Sequence, residues 1–341
     1  RDRWNTARAA SCEPFFPSDI FLSFLPLSHM FERTGGYYLP MLTGSIVAYS
    51  RSIEQLAEDL LIIRPTILVT VPRIFERVYN KIKLQLEEKP AFARKLFNAA
   101  VNAGWQHFLQ QQGREHKTLP LLFWPLLQRL VGHKIMQKLG GRLRLAVSGG
   151  APLSVDVAQT FIGLGLTIVQ GYGMTELSPV VSSNRIKGND PASVGPPLPD
   201  VEVKLGKDNE LLVRSPGIML GYWNNPEATA EIIDDDGWLH TGDIAHIEHD
   251  HIYITGRLKE IIVLANGEKI PPADMELAIC TDPLFEQAMI VGEGKPFLSA
   301  LVVLNRDNWK KLAEAFVVPA DDETSLDDPD VQNELLKRIK E

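Results

Sequence analysis

The stretch QGYGMTE, Gln170 to Glu176, brings together two glycines, a flat aromatic ring, a hydroxyl and a carboxylate. Gly171 and Gly173 permit a tight turn and a close approach of backbone to a ligand. Tyr172 offers a face for a ring, Thr175 a hydroxyl for a phosphate oxygen, and Glu176 an oxygen ligand for a hard cation such as Mg²⁺. The same residues would also make a plain turn, with a core tyrosine and a threonine capping a helix. Glycine patterns do not decide between the two. The stretch begins as G-x-G but lacks the third glycine of the dinucleotide fingerprint, and no G-x-x-x-x-G-K-[ST] loop stands nearby.

Two further groups could complete such a site. In WLHTGD, Trp238 to Asp243, an ionised Asp243 can accept from two donors at once, which suits a ribose diol. Alone, it reads better as an aspartate in a β-turn after Gly242. In TGRLKEIIVLANGEKI, Thr255 to Ile270, Arg257 carries a planar fork of donors suited to ribose or phosphate oxygens, and Lys259 falls where a change of backbone angle would swing whatever follows. A surface loop with two solvated cations is the plainer account. His240, His246, His249 and His251 form a His-rich tract, which can hold zinc. In a hairpin, however, His246 and His249 fall on opposite faces and no cysteine is near, so a solvated hairpin is the better account.

The elements that must position these groups alternate. From Asp19 to Ser50, short apolar runs are broken by LPLSH and RTGG, and a helix, a strand over Ile67 to Val71 and a second helix follow. That is the pattern of a parallel α/β sheet. Residues 73–139 read as a long helical excursion with breaks near Pro90, Gly113 and Pro120. RLRLAVSGGAPLS returns to a strand ending in Gly149 and Gly150, Asp156 to Leu164 forms a helix, and LTIVQ is the next strand. QGYGMTE therefore stands at the carboxyl end of a strand, the edge where open α/β sheets bind ligands.

Beyond Asn189, β-branched runs separated by Gly, Pro, Asp and Asn predict a small antiparallel unit, with AHIEHDHIYIT as a hairpin. After Ile270 come a helix from Pro272, strands at EQAMIVGE and LSALVVLN, and a helix from Asp307. The acidic PADDETSLDDPD reads as a solvated loop. The expected organisation is an α/β part over residues 1–190, a β unit over 191–256 and a partial α+β domain over 257–341, with the junction at Thr255 to Lys259.

Composition narrows the class. A net charge of -8 and a pI near 5.6 argue against broad binding to nucleic acid. Cys12 and Cys280 alone make no disulfide framework, so a reducing, cytoplasmic setting is expected. LPLLFWPLLQRLVGHKIM is interrupted by Pro125, Arg129, His133 and Lys134, short of the roughly 20 clean apolar residues of a membrane span. Its aromatic-rich LLFWPLL reads as buried core; an apolar surface for a bilayer or a partner is the other reading. The start, RDRWNTARAASCEPF, has no initiating Met and no export signal, and QNELLKRIKE stops within a helical pattern, which suggests a piece of a longer protein.

Taken in order, RLRLAVSGGAPLS, QGYGMTELSP, ELLVRSPGIMLGYWNNPEATAE, GWLHTGD and ITGRLKEIIVLANGEKI closely resemble the successive motifs of the AMP-forming acyl-CoA synthetases, within the adenylate-forming superfamily. The resemblance runs from about Asp19 to the C-terminus. FLSFLPLSHMFERTGG and DPLFEQAMIVGEGKPFLSALVVLN look most like the long-chain fatty acid branch.

The resemblance implies a large adenylate-forming domain, a parallel sheet flanked by helices plus the antiparallel unit, followed by a mobile C-terminal domain. It implies that Tyr172 stacks on adenine, with Gln170, Gly171 and Gly173 in the same nucleotide-binding stretch. It implies that Gly149, Gly150, Ala151 and Pro152 line the adenine and acyl pockets. Thr175 and Glu176 would face the α-phosphate and Mg²⁺, with Glu176 the metal ligand. Asp243 would hold the ribose hydroxyls, Arg257 would contact the ribose, and Lys259 would be the hinge. His29 would lie near the reacting carboxylate, or else be a helix-start histidine packed against Phe31. The substrates implied are a long-chain fatty acid, ATP (leaving as AMP) and coenzyme A.

Three departures bear on this reading. The family's phosphate loop would lie upstream of Arg1, its C-terminal catalytic lysine beyond Glu341, and EHDHIY stands where the family commonly has a turn glycine. A piece without the first two is expected to turn over poorly on its own. Two alternatives stay open: an adenylating enzyme for another acid or for a carrier-protein acceptor, and a non-enzymatic acyl-chain or membrane-docking module.

Overall fold

A computed structural model describes residues 1–114 and 119–340. Residues 115–118 of the helical excursion, and Glu341, lie outside the described residues. The chain divides into two compact units, Arg1–Ile254 and Thr255–Glu341.

The first unit is built on strands β1 (Ile20–Ser23), β2 (Ile46–Tyr49), β3 (Ile67–Thr70), β4 (Leu145–Ser148), β5 (Ile168–Gly173) and β6 (Val180–Ser183), in the order β2-β1-β3-β4-β5-β6. The neighbours from β2 to β5 are parallel. Strand side chains alternate between faces, so the central strands feed two cores. Leu22, Leu68, Ala146 and Ile168 pack with Phe75, Phe108 and Phe161 of the helices on one side. Phe21, Ile67, Leu145 and Val169 pack with Leu39 on the other.

Two features of this sheet differ from the sequence expectation. β5 runs through Gly171, Tyr172 and Gly173 instead of ending before them, and β6 then pairs with it antiparallel. Pro179 in ELSPVV masks the second strand as a turn signal.

The excursion consists of the helices Pro72–Glu87, Ala91–Gln111 and Leu119–Leu127, a π-helical turn Gln128–Gly132, and the helix His133–Lys138. Ala91–Gln111 crosses Val155–Gly163 with backbone against backbone: a Cβ on Gly104 would stand 1.8 Å from the carbonyl oxygen of Gly163, and one on Gly163 would stand 2.4 Å from that of Val101. Only glycines allow so close a crossing. LLFWPLL is not simply core. Trp124 stacks on His107, but Phe123 and Leu126 are exposed, as is Leu130 one turn on. A short apolar run carries no periodicity that separates the two outcomes. No helix among the described residues is long and apolar enough to cross a membrane.

Strands β7 (Glu202–Leu205), β8 (Glu210–Arg214), β9 (Leu239–Glu248) and β10 (His251–Arg257) form the antiparallel sheet, ordered β10-β9-β8-β7. Leu211, Val213, Leu239 and Ile252 share a core with Leu177 and Val181 from the edge of the first sheet. The β9–β10 turn places His249 at φ 48° and Asp250 at φ 65°. Two left-handed residues in succession match the twist of a tight hairpin, and Asn-Gly is the pair that adopts it most easily. Exchanging His249→Asn and Asp250→Gly together is expected to raise the unfolding free energy by about 1 kcal/mol, measured by urea denaturation.

The second unit holds β11 (Ile262–Val263), β12 (Lys269–Ile270), the helix Ala273–Ile279, β13 (Phe285–Val291), β14 (Ser299–Leu304), and the helices Arg306–Phe316 and Pro329–Lys340. Ile262, Phe285, Ile290, Trp309 and Val331 lie in its core. The acidic segment is not a plain loop. It forms a short 3-10 turn, Glu323–Asp327, in which buried Ser325 donates to the carbonyl oxygen of Pro319 at 2.6 Å.

Candidate active site

The carboxyl edge of β4 and β5 gathers most of the predicted residues. After Ser148 the chain leaves the sheet through Gly149, Gly150, Ala151 and Pro152 before the helix Val155–Gly163. Gly149 is buried; a Cβ there would lie 3.0 Å from the Phe31 ring and 3.4 Å from the carbonyl oxygen of Gly171. Gly150 adopts φ 82°, in the region glycine favours. Gly150, Ala151 and Pro152 are exposed at the rim.

Gln170 holds this loop. Its Oε1 accepts from the Leu153 backbone N–H at 3.1 Å, and its Nε2 donates to the Pro191 carbonyl at 2.6 Å. The side chain is buried and ties two loops to the end of β5. Gly171 and Gly173 serve the β5–β6 pairing as much as any ligand: a Cβ on Gly173 would stand 1.9 Å from the carbonyl oxygen of Pro179.

Tyr172 and Asp243 meet directly. The Tyr172 hydroxyl donates to Oδ2 of Asp243 at 2.5 Å, across 71 residues of sequence. Asp243 is 6% exposed and lies within β9, not in the turn that Gly242 suggested. Gly242, at φ 71°, kinks β9 instead, and the register with β8 shifts between Glu210 and Leu212. Glu210 stays beside the kink, accepting from the Gly242 N–H at 2.9 Å. The bulge re-aims the strand just before Asp243.

Thr175 and Glu176 open a 3-10 turn, Thr175–Leu177. Thr175 is exposed and Glu176 half-buried. Oε1 of Glu176 accepts from the hydroxyl of Tyr222 at 2.8 Å. Burial, followed by its bond to the Glu176 carboxylate, raises the Tyr222 phenol above its ordinary pKa. Tyr222 lies in GYWNNPEATAE, quoted above only as a motif. The signal for it was the aromatic residue directly after Gly221.

His29 is exposed and caps the short helix Met30–Glu32, its Nδ1 accepting from the Phe31 N–H at 3.2 Å. The capping role accounts for one ring nitrogen of an otherwise exposed side chain. The Phe31 ring against Gly149 brings this segment to the same loop. Glu32 was not singled out in the sequence, yet it is fully buried. Its Oε1 pairs with the Ser23 hydroxyl at 2.5 Å, its Oε2 has no hydrogen-bond partner, and burial pushes the carboxyl up to about 7.

Arg257, the last residue of β10, and Lys259, in the 3-10 turn Leu258–Glu260, belong to the second unit. The first unit by itself brings together Tyr172, Asp243, Glu176, Tyr222 and the Gly149 loop.

The histidines are partnered separately. Nδ1 of His240 lies 2.8 Å from Oε2 of Glu210, His246 stacks on Tyr253 at 4.5 Å, and Nδ1 of His251 lies 2.8 Å from the Ser193 hydroxyl. Among the described residues, no three His, Cys, Asp or Glu side chains converge to hold a metal. One carboxylate, that of Glu176, beside the hydroxyl of Thr175 fits the other common case, a Mg²⁺ that keeps its waters and arrives on phosphate oxygens.

Residues 3–223 match the AMP-binding enzyme family, and residues 259–336 match the AMP-binding enzyme C-terminal domain. A long-chain-fatty-acid–CoA ligase of Mycobacterium bovis is 36% identical over 301 residues, covering 85% of this chain and 48% of that protein. The peroxisomal long chain acyl-CoA synthetase 7 of Arabidopsis thaliana is 37% identical over 319 residues, covering 88% of this chain and 44% of the relative. The chain thus spans about half the length of the curated relatives it matches. Among solved structures, the adenylation domain of a carboxylate reductase from Mycobacterium chelonae shares the fold, with a TM-score of 0.68 at 24% identity over 95% of this chain and 46% of that one.

Proposed function

The chain belongs to the AMP-binding enzyme family, and on that premise we propose that the protein it comes from activates a long-chain fatty acid. In this reading a fatty acid carboxylate oxygen attacks the α-phosphate of ATP, pyrophosphate leaves, and the thiol of coenzyme A then displaces AMP from the acyl-adenylate. The identities near 36% to long-chain-fatty-acid–CoA ligases support the class of acid.

The observation that carries the proposal is the pairing of Tyr172 with Asp243. It puts the Tyr172 ring, which would stack on adenine, beside the Asp243 carboxylate, which would take the ribose diol, with Thr175 and Glu176 a few residues further along the chain. Asp243 would orient the nucleotide by accepting from its two ribose hydroxyls, and the exposed Thr175 hydroxyl would meet a phosphate oxygen. Glu176 would hold the Mg²⁺, which supplies neutralisation of phosphate charge when bound. His29 would lie at the acid's carboxylate, beside the loop of Gly149 to Pro152. These groups act by positioning and by charge stabilisation, which carry most of the barrier lowering in phosphoryl chemistry. We assign the ribose contact of the second unit to Arg257 and the hinge to Lys259, a position that would let one set of groups replace another between the two steps.

The test is pyrophosphate exchange by the full-length protein against a panel of acids of graded chain length, with and without coenzyme A. Exchange that depends on long-chain acids, with thioester formed only when coenzyme A is present, is the expected result. Exchange driven by a different class of acid, or an adenylate passed only to a carrier protein, would replace the substrate assignment. Acyl-chain binding with no exchange at all would overturn adenylation.

A further inference from the structure

Tyr222 stands on a support of its own. The segment leading to it is laid against the turn Thr175–Leu177: a Cβ on Gly217 would approach the carbonyl oxygen of Leu177 to 2.9 Å, and the Met219 N–H donates to the carbonyl oxygen of Glu176 at 2.7 Å. Gly221, at φ 143°, makes room for Thr229, whose Oγ1 accepts from the Tyr222 N–H at 2.9 Å and donates to the carbonyl oxygen of Asn225 at 2.9 Å. Asn225 in turn caps the helix Pro226–Ile232, accepting from the Ala228 N–H at 3.0 Å. The backbone at Tyr222 is therefore fixed by the helix start behind it, and the phenol reaches Oε1 of Glu176 at 2.8 Å.

We propose that Tyr222 is a positioning residue for Glu176, its hydroxyl holding one carboxylate oxygen so that the other is presented to the Mg²⁺ of the nucleotide. This rests on the adenylating function proposed above. A carboxylate on a half-exposed turn otherwise samples several rotamers, and fixing one before the metal arrives removes that cost from binding. The bond to an ionised acceptor is of the stronger kind. Tyr222 itself touches neither metal nor nucleotide in this account.

The variant is Tyr222→Phe in the full-length protein, which keeps the ring and removes the hydroxyl. In acid-dependent pyrophosphate exchange, the Mg²⁺ concentration for half-maximal rate is expected to rise about tenfold, with the KM for the fatty acid unchanged and the rate at saturating Mg²⁺ largely retained. In a Glu176→Gln background, the same substitution is expected to change nothing further, because the acceptor it serves is already altered. A packing role would weaken both backgrounds alike and would lower thermal stability without shifting the Mg²⁺ dependence. A Mg²⁺ requirement that is unchanged or lowered in Tyr222→Phe, or an effect of equal size in the Glu176→Gln background, overturns the inference while the adenylating function stands. A wild-type protein with no acid-dependent exchange overturns that function, and the inference falls with it.

Discussion

Replacing Asp243 with alanine in the full-length protein is expected to lower kcat/KM for ATP in pyrophosphate exchange by about 10²- to 10⁴-fold, nearly all of it through KM. The carboxylate is 6% exposed, so its bonds to a ribose diol would form largely out of water. Two charge-assisted hydrogen bonds, each about 1.5–3 kcal/mol, set the magnitude. The Tyr172 hydroxyl at 2.5 Å adds a second consequence. Its acceptor disappears with the carboxylate, and the ring proposed to stack on adenine loses this bond as well. Asp243→Asn keeps an acceptor at that position and is expected to cost only about tenfold. A loss below about threefold for alanine would remove Asp243 from the ribose contact. A fall in kcat with KM preserved would instead place it at the reacting centre.

The two ends of that hydrogen bond differ in how far the sequence reveals them. Tyr172 is legible because a buried strand, two glycines and a hydroxyl-carboxylate pair fall within one stretch, and local pattern carries that much. Asp243 is legible only by resemblance, since TGD alone reads as a turn. What makes it a strand residue is the kink at Gly242, the Glu210 carboxylate that takes the Gly242 N–H, and burial against a second sheet. All three are tertiary.

A parallel α/β sheet was readable from apolar runs separated by helical ones, whereas the order of its strands was not, and β6 was hidden behind a proline. Tyr222 was passed over for a related reason. Its partner lies 46 residues away, and nothing in GYWNNPEATAE shows that the chain folds back along Thr175 to Leu177. Sequence patterns report what each segment prefers. They do not report which segment it will be laid against, and both carboxylates of the candidate site take their hydrogen-bond partners by that second route. Glu32 is the extreme case: among charged and polar neighbours in HMFERTGG it reads as a solvated helix residue, yet it is wholly enclosed.

That enclosure leads to the second large effect, a pH dependence of stability carried by Glu32. The residue ends the helix Met30–Glu32 and is followed by a π-helical turn, Arg33–Tyr38, in which Gly36 gives way to its carboxyl: a Cβ on Gly36 would stand 2.2 Å from Oε1. The Ser23 hydroxyl satisfies that oxygen, while Oε2 is buried with no hydrogen-bond partner. Desolvation therefore outweighs the Ser23 bond and moves the carboxyl from 4.5 to about 7. The folded chain holds this proton where the unfolded chain has already released it. The associated stability is full below pH 4.5 and is lost as pH rises through about 7. The move corresponds to about 3 kcal/mol between the two limits. Glu32→Gln keeps the shape and removes the titration. The difference in unfolding free energy, variant minus wild type, is expected to rise by about 2.5 kcal/mol between pH 5 and pH 8, followed by urea denaturation at intervals across that range. The absolute offset at pH 5 reports how well an amide fits between Ser23 and Gly36, so the slope is the decisive quantity. A difference that stays level across the range would mean that Glu32 is ionised in the folded protein with a compensating cation nearby. The unpartnered Oε2 would then have to be found within reach of a positive group in the full-length molecule.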